Sequence, residues 1–597
     1  MSIVELRQVS LVGPAAGKEQ VLDGLQALGV MHLIPLRPPQ PLAPRDPELL
    51  RRARTALRHL RQAPERMRPY RGDQAYDRAA TIAQILANRR RLRELGDRRD
   101  DLLALIEELT PWGEFALPPP EALAGLRLWL YALPLKERRA LDGLALPWVV
   151  VGKGPTQLHL VVMAHDEPPA DALPVARVQG GEVPLSRLEA ELEAVEIAIE
   201  EAQLERQALT RWRRHLQADL MAELDRDALR EAAGQTHDEP ALFAVQGWAP
   251  TAELPALERL ARRHGLALLA EAVGAEDRPP TLLELPRGVA GAAELTRFYT
   301  SPGYRTWDPS LIVFGSFALF FAMIVADAGY AALLVLGCLL GWRALGRGEA
   351  GRRMRPILAT LAGTALVYGI LAGSYFGRHP PPGGFLDRLH LLDITDFAVM
   401  MRLSVLIGAV HLSLAHGAVA WLNRGRGALL LPPLGWLAAI WGGVLMWLGG
   451  SAGETLGAGL LGLGLLAVFW GAGAGRPVRT PKDLGQRVMA GVLGLTGATR
   501  QFGDMLSYLR LFALGLASAS LASTFNGLAG ELRAALPGIG LLLGLLVLLL
   551  GHGVTFLLGV MSGVVHGLRL NFIEFFGWGL TEEGYPFKPF KKGETPT

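Results

Sequence analysis

From about Leu311 onward the chain is a succession of long apolar runs joined by short, arginine-bearing connections. Eight such runs cover about 309–326, 328–342, 356–376, 401–422, 431–449, 456–473, 488–526 and 537–572. A run of roughly 18–25 apolar residues crosses about 30 Å of hydrocarbon at 1.5 Å per residue. Residues 301–580 are therefore expected to form an α-helical polytopic membrane domain of about eight transmembrane helices. Only Asp327 separates the first two runs, and the last two are longer than a span needs. Those two must tilt, bend or project beyond the bilayer.

The first three hundred residues are rich in Arg, Glu and Asp, and 597 residues are too many for one core. From Val4 to Leu36 the pattern runs strand, helix, strand, which reads as a small α/β lobe. The stretch Gly13 to Lys18 lacks the glycine spacing of a phosphate-binding loop. Two segments carry heptads. In the first, Ile85, Leu92, Arg99 and Ile106 alternate with Asn88, Leu95, Leu102 and Leu109. In the second, Leu185, Leu192, Ile199 and Arg206 alternate with Leu188, Val195, Ala202 and Leu209. Both are seams for helix packing. Strand-rich stretches lie around 126–133, 149–163, 242–248 and 266–273. The expected arrangement of residues 1–300 is a cytoplasmic α+β arm. Two small α/β lobes (about 1–45 and 115–180/240–290) are joined by an antiparallel coiled coil of helices about 48–110 and 185–235. A compact two-helix bundle is the alternative. No catalytic constellation is visible there.

Arginine and lysine collect after the even-numbered runs: Arg343, Arg347, Arg352, Arg353 and Arg355; Arg424 and Arg426; Arg476, Arg479, Lys482 and Arg487. Lys588, Lys591 and Lys592 follow the last. The basic side is the cytoplasmic one, so both termini, the arm and the tail at 581–597 are expected in the cytoplasm. The start has no signal-peptide pattern. The formal charge of +3 is explained by this topology and does not call for nucleic acid. The lone Cys338 excludes an intrachain disulfide.

Charges inside spans are costly, from about 2.5 to more than 10 kcal/mol at mid-bilayer. Arg510 and Arg569 nevertheless lie within the last two runs. Ser507, Arg510, Leu514, Ala517 and Leu521 share one helical stripe, flanked by Gly515, Ser518, Ala519, Ser520, Ala522 and Ser523. Small residues allow another helix to approach closely in lipid. His566 shares a face with Arg569, and Glu574 follows one turn on, placed to hydrate or relay protons. Asp327, close to Tyr330, either lines a channel or marks a tight turn. His411 and His416 suit interhelical hydrogen bonds. No metal site or cofactor is indicated.

These residues carry a family likeness. The block Ser507-Tyr-Leu-Arg-Leu-Phe-Ala-Leu-Gly-Leu-Ala closely resembles the penultimate span of subunit a, or subunit I, of vacuolar and archaeal-type rotary ATPases. His566-Gly-Leu-Arg-Leu-Asn-Phe-Ile-Glu is similar to that family's last span, and Gly584-Tyr-Pro-Phe-Lys-Pro-Phe to its tail. Gly247-Trp-Ala-Pro, Pro279-Pro-Thr, Pro302-Gly-Tyr, Asp308-Pro-Ser, Ala326-Asp-Ala-Gly-Tyr and Gly373-Ser-Tyr-Phe-Gly follow the family's order. The resemblance implies a stator subunit, not catalytic on its own, in a prokaryotic plasma membrane. It would stand beside a proteolipid c-ring whose carboxylates are served by two half-channels. Arg510 and Arg569 would face that ring, with Asp327, Tyr330, Ser507, His566 and Glu574 as channel-lining candidates. Implied partners are the ring, the peripheral stalks, the central-stalk and catalytic head subunits, and the bilayer. The chain departs from eukaryotic relatives in carrying Ser518 for a histidine and Gly559 for a glutamate, so its half-channels are lined differently. A secondary ion transporter with a cytoplasmic regulatory domain is the alternative, but it predicts internal repeats that the sequence lacks. A membrane tether leaves the intramembrane arginines unexplained.

Overall fold

The computed structural model describes residues 2–38, 46–64, 67–68, 76–118, 120–169, 172–178, 183–286, 288–346, 348–474 and 479–593. Arg347 and Arg476 of the basic loops, parts of both expected lobes and of the first long helix, and the last four residues of the expected tail lie outside the described residues. In chain order, the first elements are β1 (Leu6–Pro14), α1 (Lys18–Leu28), β2 (His32–Ile34), α2 (Pro47–Arg61) and α3 (Arg78–Leu109). Next come β3 (Arg127–Pro134), β4 (Trp148–Lys153), β5 (Gln157–Ala164), α4 (Leu185–Leu209) and α5 (Arg213–Gln235). There follow β6 (His237–Asp238), β7 (Leu242–Pro250), α6 (Leu254–His264), β8 (Ala267–Ala272), α7 (Ala290–Tyr299) and β9 (Ser301–Pro302). The apolar half holds α8 (Ser310–Val325), α9 (Ala328–Leu345), α10 (Glu349–Leu371), α11 (Phe397–Leu422), α12 (Leu431–Leu448) and α13 (Gly450–Ala472). It ends with α14 (Pro481–Ser507), α15 (Leu509–Ala535), α16 (Ile539–Arg569), α17 (Phe576–Gly579) and β10 (Glu583–Gly584). The chain divides into two compact units: residues 1–15, 30–34 and 238–590 form one, and 16–29, 35–237 and the segment from Lys591 the other.

In the first unit an antiparallel sheet has the order β2-β7-β1-β8, with β6 also on β7. Val9 and Leu11 of β1 point one way and are fully buried, the alternation expected of a half-covered sheet. Gly247 sits where β2 crosses β7. A Cβ there would run into the His32 carbonyl and the Met31 side chain, which gives the Gly-Trp-Ala-Pro motif a steric reason. This sheet corrects the expected lobes. Residues 240–290 do not join 115–180: β7 and β8 pair with β1, because their apolar strands complete the sheet that β1 and β2 begin.

The second unit holds that other lobe alone, a three-stranded sheet of order β3-β5-β4 around Leu133, Leu160 and Val162. Its helices α3 and α4 run antiparallel. Asn88 Nδ2 donates to the Ala202 carbonyl (2.9 Å), Arg91 faces Glu201 (3.7 Å) and Arg98 Nε donates to Glu191 (2.9 Å), so one number falls as the other rises. The heptad seam is buried near its ends, at Ile85, Leu102, Leu109, Leu188, Ala202 and Leu209, and half-exposed at Leu92, Leu95, Leu192 and Val195. The first expected helix is not continuous from 48 to 110, for α2 ends at Arg61 and α3 begins at Arg78 behind an Asp77 cap. The second is nearly so, with one tight turn at Thr210–Trp212 between α4 and α5.

Among the described residues seven helical stretches are long and apolar enough to cross a membrane. The first expected span is α8, whose 16 residues reach only about 24 Å. Ten of the 16 are buried, so α8 is apolar chiefly because other helices surround it. The α12–α13 hairpin packs on glycines, Gly435 against Gly464 and Gly442 against Gly457, the close backbone approach that small residues permit. Two knots tie the unit together. In one, β9 pairs with β10, and Thr281 donates from its hydroxyl to the Pro302 carbonyl (2.7 Å) and from its amide to that of Tyr585 (2.8 Å). The other centres on Asp327.

Candidate functional site

Two helix irregularities build the site, one beside each arginine. Helices α14 and α15 form one rod of 55 residues, interrupted at Tyr508. Tyr508 is fully buried, and its hydroxyl meets His411 Nδ1 of α11 at 2.7 Å. Its ring occupies the space that a side chain at Gly408 would need. The break therefore comes from anchoring a large side chain in the core, and it leaves Arg510 two residues on, on the first turn of α15.

The second irregularity is a π-helical turn at Leu570–Phe575, directly after Arg569. On a straight α-helix residues 569 and 574 would point about 140° apart. A π turn closes hydrogen bonds over five residues and brings positions i and i+5 together. Asn571 secures it: fully buried, its amide nitrogen donates to the Gly567 carbonyl (2.9 Å), and its oxygen accepts from Ser316 of α8 (2.6 Å).

As a result Glu574 lies between the arginines. Its Oε1 stands 4.0 Å from Arg510 Nη1 and 4.0 Å from Arg569 Nε. The carboxylate side chain is 2% exposed, whereas those of Arg510 and Arg569 are 23% and 49% exposed. A buried carboxyl group thus sits behind two cations that reach an open face. The charges are near but not saturated: Arg510 Nη1, Glu574 Oε2, His566 Nδ1 and Ser518 Oγ are buried without hydrogen-bond partners. Ser507 lies within reach of Glu574, although its hydroxyl donates to the Gly503 carbonyl (3.1 Å). Of the expected site residues, Arg510, Arg569, Glu574, His566 and Ser507 are brought together here.

Asp327 and Tyr330 are not. Asp327 caps α9 and accepts from the amides of Tyr330 (3.0 Å), Phe376 (2.9 Å) and Gly377 (2.9 Å) and from the Ser374 hydroxyl (2.6 Å). Ala326 and Phe376, both in left-handed conformation, flank this clamp. Of the two readings left open for Asp327, the tight turn fits these bonds. Tyr330 meets His552 Nδ1 of α16 at 2.8 Å, and His552 Nε2 meets Asn526 Oδ1 of α15 at 3.3 Å. His552 precedes Arg569 by about 25 Å of helix.

A further polar group joins α11 to α14. His416 Nε2 faces Gln501 Oε1 (2.9 Å), and Trp578 Nε1 donates to Asp504 (2.7 Å). His411 and His416 thus make the expected interhelical hydrogen bonds. Sequence reasoning missed His552, Asn526, Asn571 and the Tyr508–His411 pair. The one available signal was that His552 stands two heptads before His566 on the same helix, hence nearly on the same face. Among the described residues no three His, Cys, Asp or Glu side chains gather as a metal site requires.

Comparison with known proteins gives this arrangement relatives. Over 420 residues the chain is 29% identical to V-type ATP synthase subunit I of Chlamydia pneumoniae, covering 59% of this chain and 61% of that protein. It is 26% identical over 459 residues to A-type ATP synthase subunit I of Methanocaldococcus jannaschii, covering 68% and 63%. The chain is a relative of the V- and A-type ATP synthase subunit I. V-type ATP synthase subunit I 1 of Treponema pallidum aligns most fully among these three, at 28% identity over 87% of this chain and 88% of its own. The chain spans less than two thirds of the first two relatives. No protein-family model matches. A solved cytoplasmic N-terminal domain of a subunit I aligns with 44% of this chain and 99% of its own, at 19% identity and a TM-score of 0.24, too low to carry geometry across. The apolar helices and these relatives together make the chain an integral membrane protein.

Proposed function

We propose that this subunit I relative is the membrane stator of a V/A-type rotary ATPase, non-catalytic by itself, that couples ion movement to rotation of a proteolipid ring. The observation that carries the reading is the pair Arg510 and Arg569 on two irregular helices, open to one face and backed by buried Glu574. Each mid-membrane carboxylate of the ring passes that face. A guanidinium at about 4 Å favours the ionised carboxylate by roughly 4 kcal/mol at an effective dielectric near 20. The carboxylate therefore gives up its proton there, and no proton passes directly from one half-channel to the other.

Two polar groups flank the arginines along the helices and suit the two half-channels. One is Tyr330, His552 and Asn526; the other is His416, Gln501 and Asp504. The smooth, exposed α15 surface at Ala513, Ala517 and Ser520 would face the ring. The eight apolar helices, short α8 included, cross the membrane with the basic loops, both termini and the arm in the cytoplasm. There the α3–α4 coiled coil meets the peripheral stalks and resists torque, and the other partners are the central stalk and catalytic head. ATP-driven transport into vesicles by the assembled enzyme tests this. Arg510→Ala is expected to lower transport by about a hundredfold or more; undiminished pumping by that variant overturns the reading.

A further inference from the structure

Within the Tyr330, His552 and Asn526 group, one titratable side chain has both the partners and the exposure of a working residue. His552 of α16 is half-buried and is held from two other elements, by Tyr330 of α9 and Asn526 of α15. The bonds fix its tautomer. Asn526 Nδ2 donates to the Phe376 carbonyl (2.7 Å), so Asn526 Oδ1 is the atom that faces His552 Nε2. That oxygen only accepts, so Nε2 carries hydrogen. In the neutral ring Nδ1 is then left to accept from the Tyr330 hydroxyl.

From this residue a seam leads toward the arginines. His552, Gly559 and His566 follow at seven-residue steps on α16, a drift of only about 20° per step. Arg510, Ser518 and Asn526 lie on one ridge of four-residue steps on α15. The two series meet in layers. Asn526 touches His552, the Ser518 hydroxyl is the atom nearest to where a side chain at Gly559 would begin (3.6 Å), and Arg510 shares Glu574 with Arg569. Ser518 Oγ and His566 Nδ1 are buried and without hydrogen-bond partners, so both have unused capacity to donate or accept along this seam.

Resting on the stator reading, we propose that His552 is a proton-carrying residue on one access route, which continues between α15 and α16 past Ser518 and Gly559 to His566. Uptake forms the Nδ1–H bond. The Tyr330 oxygen becomes the acceptor, and its own hydrogen turns to the Thr555 hydroxyl beside it; release reverses both moves. The groups facing His552 are Tyr330 from α9, Asn526 from α15, the Phe376 ring, and at longer range Asp327 and Arg378.

The test is ATP-driven proton transport by the assembled complex in vesicles, scanned over the pH of each side. His552→Gln keeps an amide for both neighbours but carries no proton. It is expected to lower transport by about tenfold or more and to flatten the pH profile on one side only. Gly559→Leu fills the seam away from the arginines and should lower transport without changing the pH midpoint, which separates blockage from loss of a titrating group. Arg510→Ala runs in parallel. If it pumps normally, the stator reading falls. If it is inactive while His552→Gln keeps the wild-type rate and pH profile, the His552 proposal alone falls.

Discussion

Two buried carboxylates in the apolar half are treated in opposite ways. Asp327 is 3% exposed and accepts four hydrogen bonds, three from backbone amides and one from Ser374. Glu574 is 2% exposed, yet its Oε2 has no hydrogen-bond partner, and its Oε1 has two guanidinium groups at 4.0 Å with Ser507 in reach. A saturated carboxylate fixes backbone and has no capacity left for chemistry. A bare one beside two cations does little to hold the fold and leaves a field to be used. Burial alone therefore does not separate structural from functional charges in a membrane; the count of satisfied lone pairs does.

The largest effect should come from emptying the saturated site. Asp327→Ala removes a charged acceptor from four donors while Ala326 and Phe376 remain in left-handed conformation. A loss of at least about 3–5 kcal/mol is expected, seen as a poor yield of assembled complex and a lowered melting temperature. A fully stable variant would show that the clamp is not structural.

Glu574→Gln is the converse experiment. It keeps size and removes charge at a side chain whose Oε2 makes no hydrogen bond, so the complex should assemble and melt as wild type. Transport should fall about tenfold, the consequence of roughly 1.4 kcal/mol of altered field at the arginines. Collapse of the complex with normal residual transport per molecule would reverse the contrast between the two carboxylates.

The smallest effect lies in the helical unit. His59 Nε2 meets Asn88 Oδ1 at 3.1 Å, and its backbone carbonyl accepts from Arg206. Burial, against the opposing Asn88 bond and with help from Arg206 and Arg89, holds the ring below its usual pKa of 6.5. The fold therefore keeps His59 neutral where the unfolded chain already takes a proton. Its contribution is full above about pH 6.5 and is lost as pH falls toward the lower folded value. Protection from hydrogen exchange across α2 and α3, corrected for the intrinsic exchange rate at each pH, should fall modestly from about pH 7.5 to about pH 5.5. His59→Gln should remove that dependence, and an unchanged slope in the variant would assign it to other groups.

Much of this molecule could be read from one-dimensional pattern. The long apolar runs became helices close to their expected limits, and the heptads from Ile85 and Leu185 became the α3–α4 pair. The motifs carrying the family likeness were legible as words but not as sentences. Pro302-Gly-Tyr and Gly584-Tyr-Pro are strand partners, while Ala326-Asp-Ala-Gly-Tyr and Gly373-Ser-Tyr-Phe-Gly are the two sides of the Asp327 clamp. The lobe assignment failed because a strand shows which face is apolar but not which strand lies beside it. Apolar character did not distinguish a lipid-facing helix from α8, which is wrapped by protein.

What the sequence determined by itself was where charge is costly: Arg510 and Arg569 stand out because hydrocarbon penalises any charge a helix carries into it. What only the tertiary structure decided was how those charges meet. Glu574 reaches both arginines because a π turn brings residues five apart onto one side, and Asn571 and Ser316 hold that turn from a helix some 255 positions away. His552 gained its partners in the same way, from helices that periodicity describes one at a time. Local pattern follows from bonds along the chain, but a shared proton, carboxylate or cation depends on distances between helices, and those are fixed only by packing.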